Sequence, residues 1–213
     1  MQANVNRILY FTAQQIRKEP VKKALTDLKK SLYASSDELF YIQNTRLLNL
    51  IQHAFKTVPF YKTFYQPWET EILNANTSTI HSLVKNLPKL QKVDVLKNRT
   101  VFFSTLSSKS YTNISSGTTG EPFAYPCDQE AWAYRHASLI RLIEYYGVTF
   151  GSRYGYFFGQ HWKSELQIKT KAKDWFFNRD RFSAFSISKE SVLETFKNFK
   201  KNKPVYFLGY PST

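Results

Sequence analysis

Residues 115–121 read Ser115-Ser116-Gly117-Thr118-Thr119-Gly120-Glu121, with Pro122 and Phe123 following. Two of the chain's seven glycines lie three residues apart inside this run of hydroxyl side chains. Serine and threonine hydroxyls donate to phosphate oxygens, and glycine lets backbone N–H groups approach an anion closely or form a nest around it. Each hydrogen bond to a charged group contributes roughly 1.5–3 kcal/mol, so several together suffice to hold a polyphosphate. A phosphate loop of the GxxxxGK[ST] kind is excluded, because no lysine follows Gly120 and the next segment is extended. The run is therefore either a polar turn or a hydroxyl-rich anion loop between two strands, and composition alone favours the ordinary turn.

Other reactive side chains are scattered. His53, His81, His136 and His161 do not share the spacing of a metal site, and His136, on an apolar helical face, is expected to be a satisfied core residue. Cys127 is the only cysteine, so one chain can form neither a disulfide nor a cysteine zinc site. It is expected to be a small buried hydrophobe. Gly209-Tyr210-Pro211-Ser212 lacks the closing glycine of a nucleophile elbow, so Ser212 is read as a helix cap. Gly159-Gln160-His161-Trp162-Lys163 follows an apolar run, at the end of a strand where α/β proteins bind ligands. Lys169, Lys171 and Lys173 run into Trp175, Phe176 and Phe177, which suits either a single-strand nucleic-acid groove or a basic loop ending in an aromatic anchor.

The charge balance is strong, 30 Lys and Arg against 16 Asp and Glu. Such a field concentrates anions, whether nucleotides, nucleic acid or acidic surfaces, without choosing among them. Hydrophobic content of 42% can fill a core, and 17% aromatic residues suggest planar side chains in a core or groove. No run approaches the roughly 18 apolar residues of a membrane helix, and the N-terminal stretch lacks a secretory apolar segment. The cytoplasm is the expected compartment.

The elements that must position these residues follow from periodicity. Residues 14–33 show helical spacing, and a second helix is expected from a cap at Asp37 to the break at Pro59. Segment 66–79 reads as a loop, and 81–98 as two short helices around Pro88. Residues 100–103, 111–114 and 122–127 read as extended. A strong helix begins at the Asp128 cap and stops at Gly147. Residues 153–159 read as a buried strand, 189–200 as a helix, and 205–208 as a strand of a parallel sheet.

The ordered set of segments resembles a known family. Ser115 through Pro122 is similar to the phosphate-binding signature of adenylate-forming enzymes, in the branch of phenylacetate–CoA ligase, coenzyme F390 synthetase and the capsular-polysaccharide protein CapK. Ala54 to Lys62 (AFKTVPFYK) resembles that branch's early VPYYR segment, and Leu87 to Asp94 (LPKLQKVD) its LP-hydrophobic-x-K-x-D segment. Trp132 and Arg135 to Gly147 resemble the helix after the loop, and Gly209 to Ser212 the GYPS turn. The resemblance implies activation of a carboxylic acid with ATP and Mg²⁺ to an acyl-adenylate, then transfer to coenzyme A or another acyl acceptor. A role in capsular or other surface polysaccharide synthesis is the expected setting. The resemblance assigns Ser115, Ser116, Gly117, Thr118, Thr119, Gly120 and Glu121 to the ATP phosphates. Position 121 is Glu where many acyl-CoA synthetases carry Lys, so cations elsewhere, or the metal, must neutralise phosphate.

The fold expected is α/β, with a helical region over 1–99 and an incomplete nucleotide-binding portion over 100–213. The family's acid pocket, adenine contacts and catalytic lysine are expected beyond residue 213, leaving catalytic residues unassigned and the chain alone inactive. Self-association through the strand at 205–208 is expected, with no membrane span and no specific nucleic acid. A non-catalytic remnant and a basic nucleic-acid-binding module are the alternatives.

Overall fold

The computed structural model describes residues 2–97, 99–106, 110–114, 124–158, 167–183 and 187–209. In chain order the helices before the first strand are α1 (Gln2–Ile16), α2 (Val21–Lys30), α3 (Ser36–Thr57), α4 (Pro59–Phe64), α5 (Glu69–Asn74), α6 (Ile80–Asn86) and α7 (Lys92–Lys97). Strands β1 (Ser110–Ile114) and β2 (Ala124–Asp128) follow, then α8 (Gln129–Tyr145) and β3 (Tyr154–Phe158). The last elements are α9 (Gln167–Phe176), β4 (Arg179–Ser183), α10 (Lys189–Asn202) and β5 (Tyr206–Gly209). The protein is mixed α/β and rich in helix. It divides into two compact units, residues 27–132 and residues 1–26 with 133–213.

The unit 27–132 is built on α3. Its start is a capping box: Ser35 Oγ accepts from the Glu38 N–H, and Glu38 accepts from the Ser35 N–H at 2.7 Å. The cap is Ser35, not Asp37, which lies in the first turn. The helix ends at Val58, extended ahead of Pro59, which then opens α4. Phe55, Ile72, Ile80, Leu83 and Leu87 form one buried cluster that holds α3, α5 and α6 together. Segment 66–79 was expected to be a loop, yet Glu69–Asn74 is helical. Ile72 is fully buried there, and Gln52 of α3 donates to its carbonyl at 3.1 Å. One buried anchor fixes a turn of helix that has no apolar repeat.

The other unit is a three-layer arrangement. Its sheet has the order β4-β3-β5, all parallel, with Tyr154 opposite Arg179 on one side and Tyr206 on the other. The chain passes from β3 through α9 to β4, then through α10 to β5, so β3 is where the direction of winding reverses. Side chains alternate across the sheet. Phe157, Phe182 and Phe207 meet Phe199 of α10 on one face, at ring separations of 5.0–6.0 Å. Tyr154, Tyr156 and Arg179 occupy the other, where Asp174 of α9 accepts from Arg179 at 2.7 Å and Arg181 at 2.5 Å. Asp180 is held by Arg153 at 2.5 Å and Asn202 at 2.9 Å, tying the end of α10 to β4.

Helices α1 and α2 are separate where periodicity suggested one helix over 14–33. Lys18 takes a left-handed conformation (φ 59°) just before Glu19-Pro20. Tyr10 of α1 packs edge-on to Phe150 at 4.9 Å, and its hydroxyl lies 3.0 Å from Nδ1 of His136 on α8. His136 is thus a half-buried, hydrogen-bonded core residue, as its apolar helical face suggested. Helix α8 is capped by Asp128, which accepts from the Ala131 N–H at 2.7 Å, and ends at Gly147 with φ 76°.

Candidate anion site at the β1–β2 hairpin

Strands β1 and β2 pair antiparallel, from Ser110 opposite Asp128 to Ile114 opposite Ala124. Directly opposed residues of such a pair have Cα atoms about 4.5–5.5 Å apart. Ile114 and Ala124, which flank segment 115–123 in the chain, are therefore held side by side. The candidate residues Ser115, Ser116, Gly117, Thr118, Thr119, Gly120 and Glu121 lie outside the described residues, as do 159–163 and 210–213. Trp132, in the first turn of α8, packs on Tyr111 of β1 at 5.1 Å and anchors the hairpin to the helix that follows it.

Beside the hairpin is a pocket of about 540 Å³ within the same unit, a volume in the range that holds small molecules. Its wall is aromatic, formed by Tyr61, Phe102, Phe103 and Tyr125. Ala124 and Pro126 of β2 complete one side, and Lys92 and Arg99 are the basic residues among the described residues that line it. No carboxylate is among the described residues that line it.

The local structure explains why these side chains meet. Residues 100–103 were expected to be extended, but Arg99–Phe102 is a turn of 3₁₀ helix. Phe102 stacks on Phe60 at 4.1 Å and meets Tyr61 edge-on at 5.6 Å. Thr105 then donates its backbone N–H to the Thr57 carbonyl at 2.8 Å, pinning the segment to the end of α3. Burial raises the pKa values of the Tyr61 and Tyr65 phenols, so both remain neutral donors at ordinary pH. Tyr65 donates to the Pro88 carbonyl at 3.1 Å and holds the turn that leads into α7. Asp94 accepts from the Gln91 N–H at 3.1 Å at the start of α7, and Lys92 is the first residue of that helix.

The other candidates are more dispersed. Cys127 is half-buried in β2. Lys171, Lys173 and Trp175 lie on α9, with Trp175 73% exposed, so that indole is no buried anchor. Among the described residues no group of three or more His, Cys, Asp or Glu could hold a metal ion. No described helix is long and apolar enough to cross a membrane. Compared with family models, curated proteins and solved structures, the chain matches none.

Sequence reasoning did not single out Arg99, Phe102 or Tyr125. Lys92 entered only as a position in a resembling segment. The signal for the pocket is the meeting of segments far apart in the chain, which periodicity does not carry.

Proposed function

We propose that this chain carries the phosphate-holding part of an ATP-dependent, carboxylate-activating ligase of the acyl-adenylate-forming kind. One observation supports this reading above the others. The segments that separately resemble that family, 54–62 and 87–94, both line one pocket, through Tyr61 and Lys92, beside Ala124–Pro126, which follows the 115–122 signature.

In this reading the hydroxyls and backbone of 115–121 bind the β- and γ-phosphates of ATP, and Mg²⁺ enters with the nucleotide. A carboxylate oxygen of the acid attacks the α-phosphorus, the bond to the bridging oxygen breaks, and pyrophosphate leaves with its electron pair. The resulting mixed anhydride then acylates coenzyme A or another acceptor, releasing AMP. Capsular or other surface polysaccharide synthesis is the setting this branch suggests, in the cytoplasm.

Calorimetric titration of residues 1–213 with MgATP tests the reading. ATP is expected to bind, and the double variant Thr118→Val/Thr119→Val to weaken it at least tenfold. Unchanged binding in that variant, or none in the wild type, overturns it. The exposed Trp175, following Lys169, Lys171 and Lys173 in the chain, favours the alternative of single-strand nucleic-acid binding. Tight oligonucleotide binding lost in Trp175→Ala, with no ATP binding, would establish that alternative.

A further inference from the structure

The aromatic packing around α4 ends at an open cavity. Phe64 stacks on Phe60 at 5.4 Å, Phe60 on Phe102 at 4.1 Å, and Tyr65 on Tyr61 at 5.8 Å. Tyr61 and Phe102 meet edge-on at 5.6 Å, and both also line the pocket of about 540 Å³ within the unit 27–132. Phe103, 47% exposed, and Tyr125 of β2 line it as well. The ring wall is fixed by the fold. Thr105, three residues after Phe102, donates its backbone N–H at 2.8 Å and its hydroxyl at 3.2 Å to the Thr57 carbonyl. A wall already in place loses little conformational freedom when a ligand arrives.

We infer that this pocket is a binding site for an uncharged, planar aromatic molecule, whose ring packs against Tyr61, Phe102 and Phe103. Aromatic rings attract further rings offset-stacked or edge-on, at centroid separations of about 4.5–7 Å. A wall built of rings therefore prefers a planar ring to an aliphatic body of the same size. The short side chains of Ala124 and Pro126 leave room beside that wall, and the volume falls in the range of about 300–1,000 Å³ that small-molecule sites occupy. No carboxylate among the described lining residues is there to receive a cation, and moving any ion out of water against apolar rings costs more than moving a neutral one. The inference does not rest on the ATP reading, because every ring it uses stands outside the segment 115–121.

The probe is coumarin, a neutral planar bicycle, titrated into residues 1–213 and followed by amide chemical shifts. Saturable binding is expected, with shifts at Tyr61, Phe103 and Ala124. The saturated bicycle 2-decalone and the cation N-methylquinolinium are each expected to bind about fivefold more weakly. Phe103→Ala removes one exposed ring of the wall and is expected to weaken coumarin by about fivefold. Ala124→Trp fills the pocket and is expected to abolish binding. Tyr33→Ala removes a 96% exposed ring of the same unit that does not line the pocket. It is the control and is expected to bind as the wild type does, and all three variants are expected to melt close to the wild type. Equal affinity for coumarin and 2-decalone would mean a cleft without ring preference and would overturn the inference, as would equal affinity for the cation. Unchanged binding in both pocket variants, or an equal loss in Tyr33→Ala, places coumarin elsewhere and overturns it too. Absence of saturable binding by the wild type does the same.

Discussion

The Tyr65 hydroxyl donates to the carbonyl of Pro88 across 3.1 Å. Tyr65 follows α4 directly and Pro88 ends the turn after α6, so one hydrogen bond joins stretches 23 residues apart. The same phenol ring stacks on Tyr61 at 5.8 Å, and Tyr61 lines the pocket. The position of α7, and with it Lys92, therefore depends on an aromatic ladder that begins at the end of α3. Tyr65→Phe keeps the ring and removes the donor. It is expected to cost roughly 0.5–1.5 kcal/mol in denaturant unfolding and to weaken coumarin binding more than stability alone explains. Unchanged binding would show that α7 is held by its apolar contacts.

The base of that ladder is the cluster around Ile72 and Ile80, both fully buried. Ile72→Ala removes the only buried side chain of α5. A loss of about 2–5 kcal/mol is expected, large enough to expose the 66–79 segment to protease under conditions where the wild type resists. Wild-type protection would mean that α5 is held by its backbone hydrogen bonds alone.

Which features were legible in the sequence follows from the range of the forces that make them. Strands β3 and β5, α10 and the Asp128 and Gly147 boundaries of α8 are written in local apolar runs and cap residues. The Ser35 box is equally local, as Ser-x-x-Glu, yet Asp37 two residues on competes with it in the sequence as a cap. Residues 100–103 have β-prone side chains, yet stacking of Phe102 on Phe60 stabilises a 3₁₀ turn instead. That is a tertiary contact overriding propensity. The pocket is lined by residues from 61, 92–103 and 124–126, far apart in the chain, so no single window of sequence contains it.

The capping box predicts a titration. Hydrogen bonds from the Ser35 backbone and hydroxyl hold the Glu38 carboxyl below its ordinary value. A depressed carboxylate pKa favours the folded state above the ordinary value, and that contribution disappears as pH falls through the folded pKa. By NMR, Glu38 is expected to titrate below the ordinary glutamate value, and to rise toward it in Ser35→Ala. Identical titrations in both proteins would mean that the box does not persist in solution.

His136 predicts a second loss on the acid flank of the pH profile, beginning at higher pH. Burial, the largest cause, lowers its pKa, and the neutral ring can accept the Tyr10 hydroxyl at Nδ1. Arg17 and Arg135 push in the same direction, while Glu19 opposes them. The unfolded histidine takes up a proton near its ordinary value of about 6.5 while the folded one stays neutral. Stability is therefore full above that pH and falls below it, until the folded pKa is reached. His136→Gln is expected to flatten the unfolding free energy between pH 6.5 and the lower folded pKa. A slope unchanged by the substitution would place its origin in another group.

Gly151 fixes the approach of α1. Its φ is 98°, and a Cβ there would collide with the Ala3 carbonyl oxygen. Its own carbonyl accepts from Asn178 at 3.0 Å. Gly151→Ala adds left-handed strain of about 1–3 kcal/mol to a clash with helix backbone that no rotamer relieves. The melting temperature is expected to drop by several degrees, with α1 amides exchanging faster. A wild-type melt would mean that α1 can shift without cost.

The last expectation returns to Gly117 and Gly120. If 115–121 binds phosphate through backbone N–H groups, a branched Cβ at either glycine obstructs close approach or a positive φ. Gly117→Val and Gly120→Val are each expected to weaken MgATP binding at least tenfold. Both replacements fall in the sequence between the paired residues Ile114 and Ala124, outside the strands that pair. The melting temperature should therefore change little, and the two measurements together separate a binding defect from a folding one. Gly→Ala at the same positions is a milder version of the same change and should give an intermediate loss. Binding retained in both valine variants would leave the segment a polar turn.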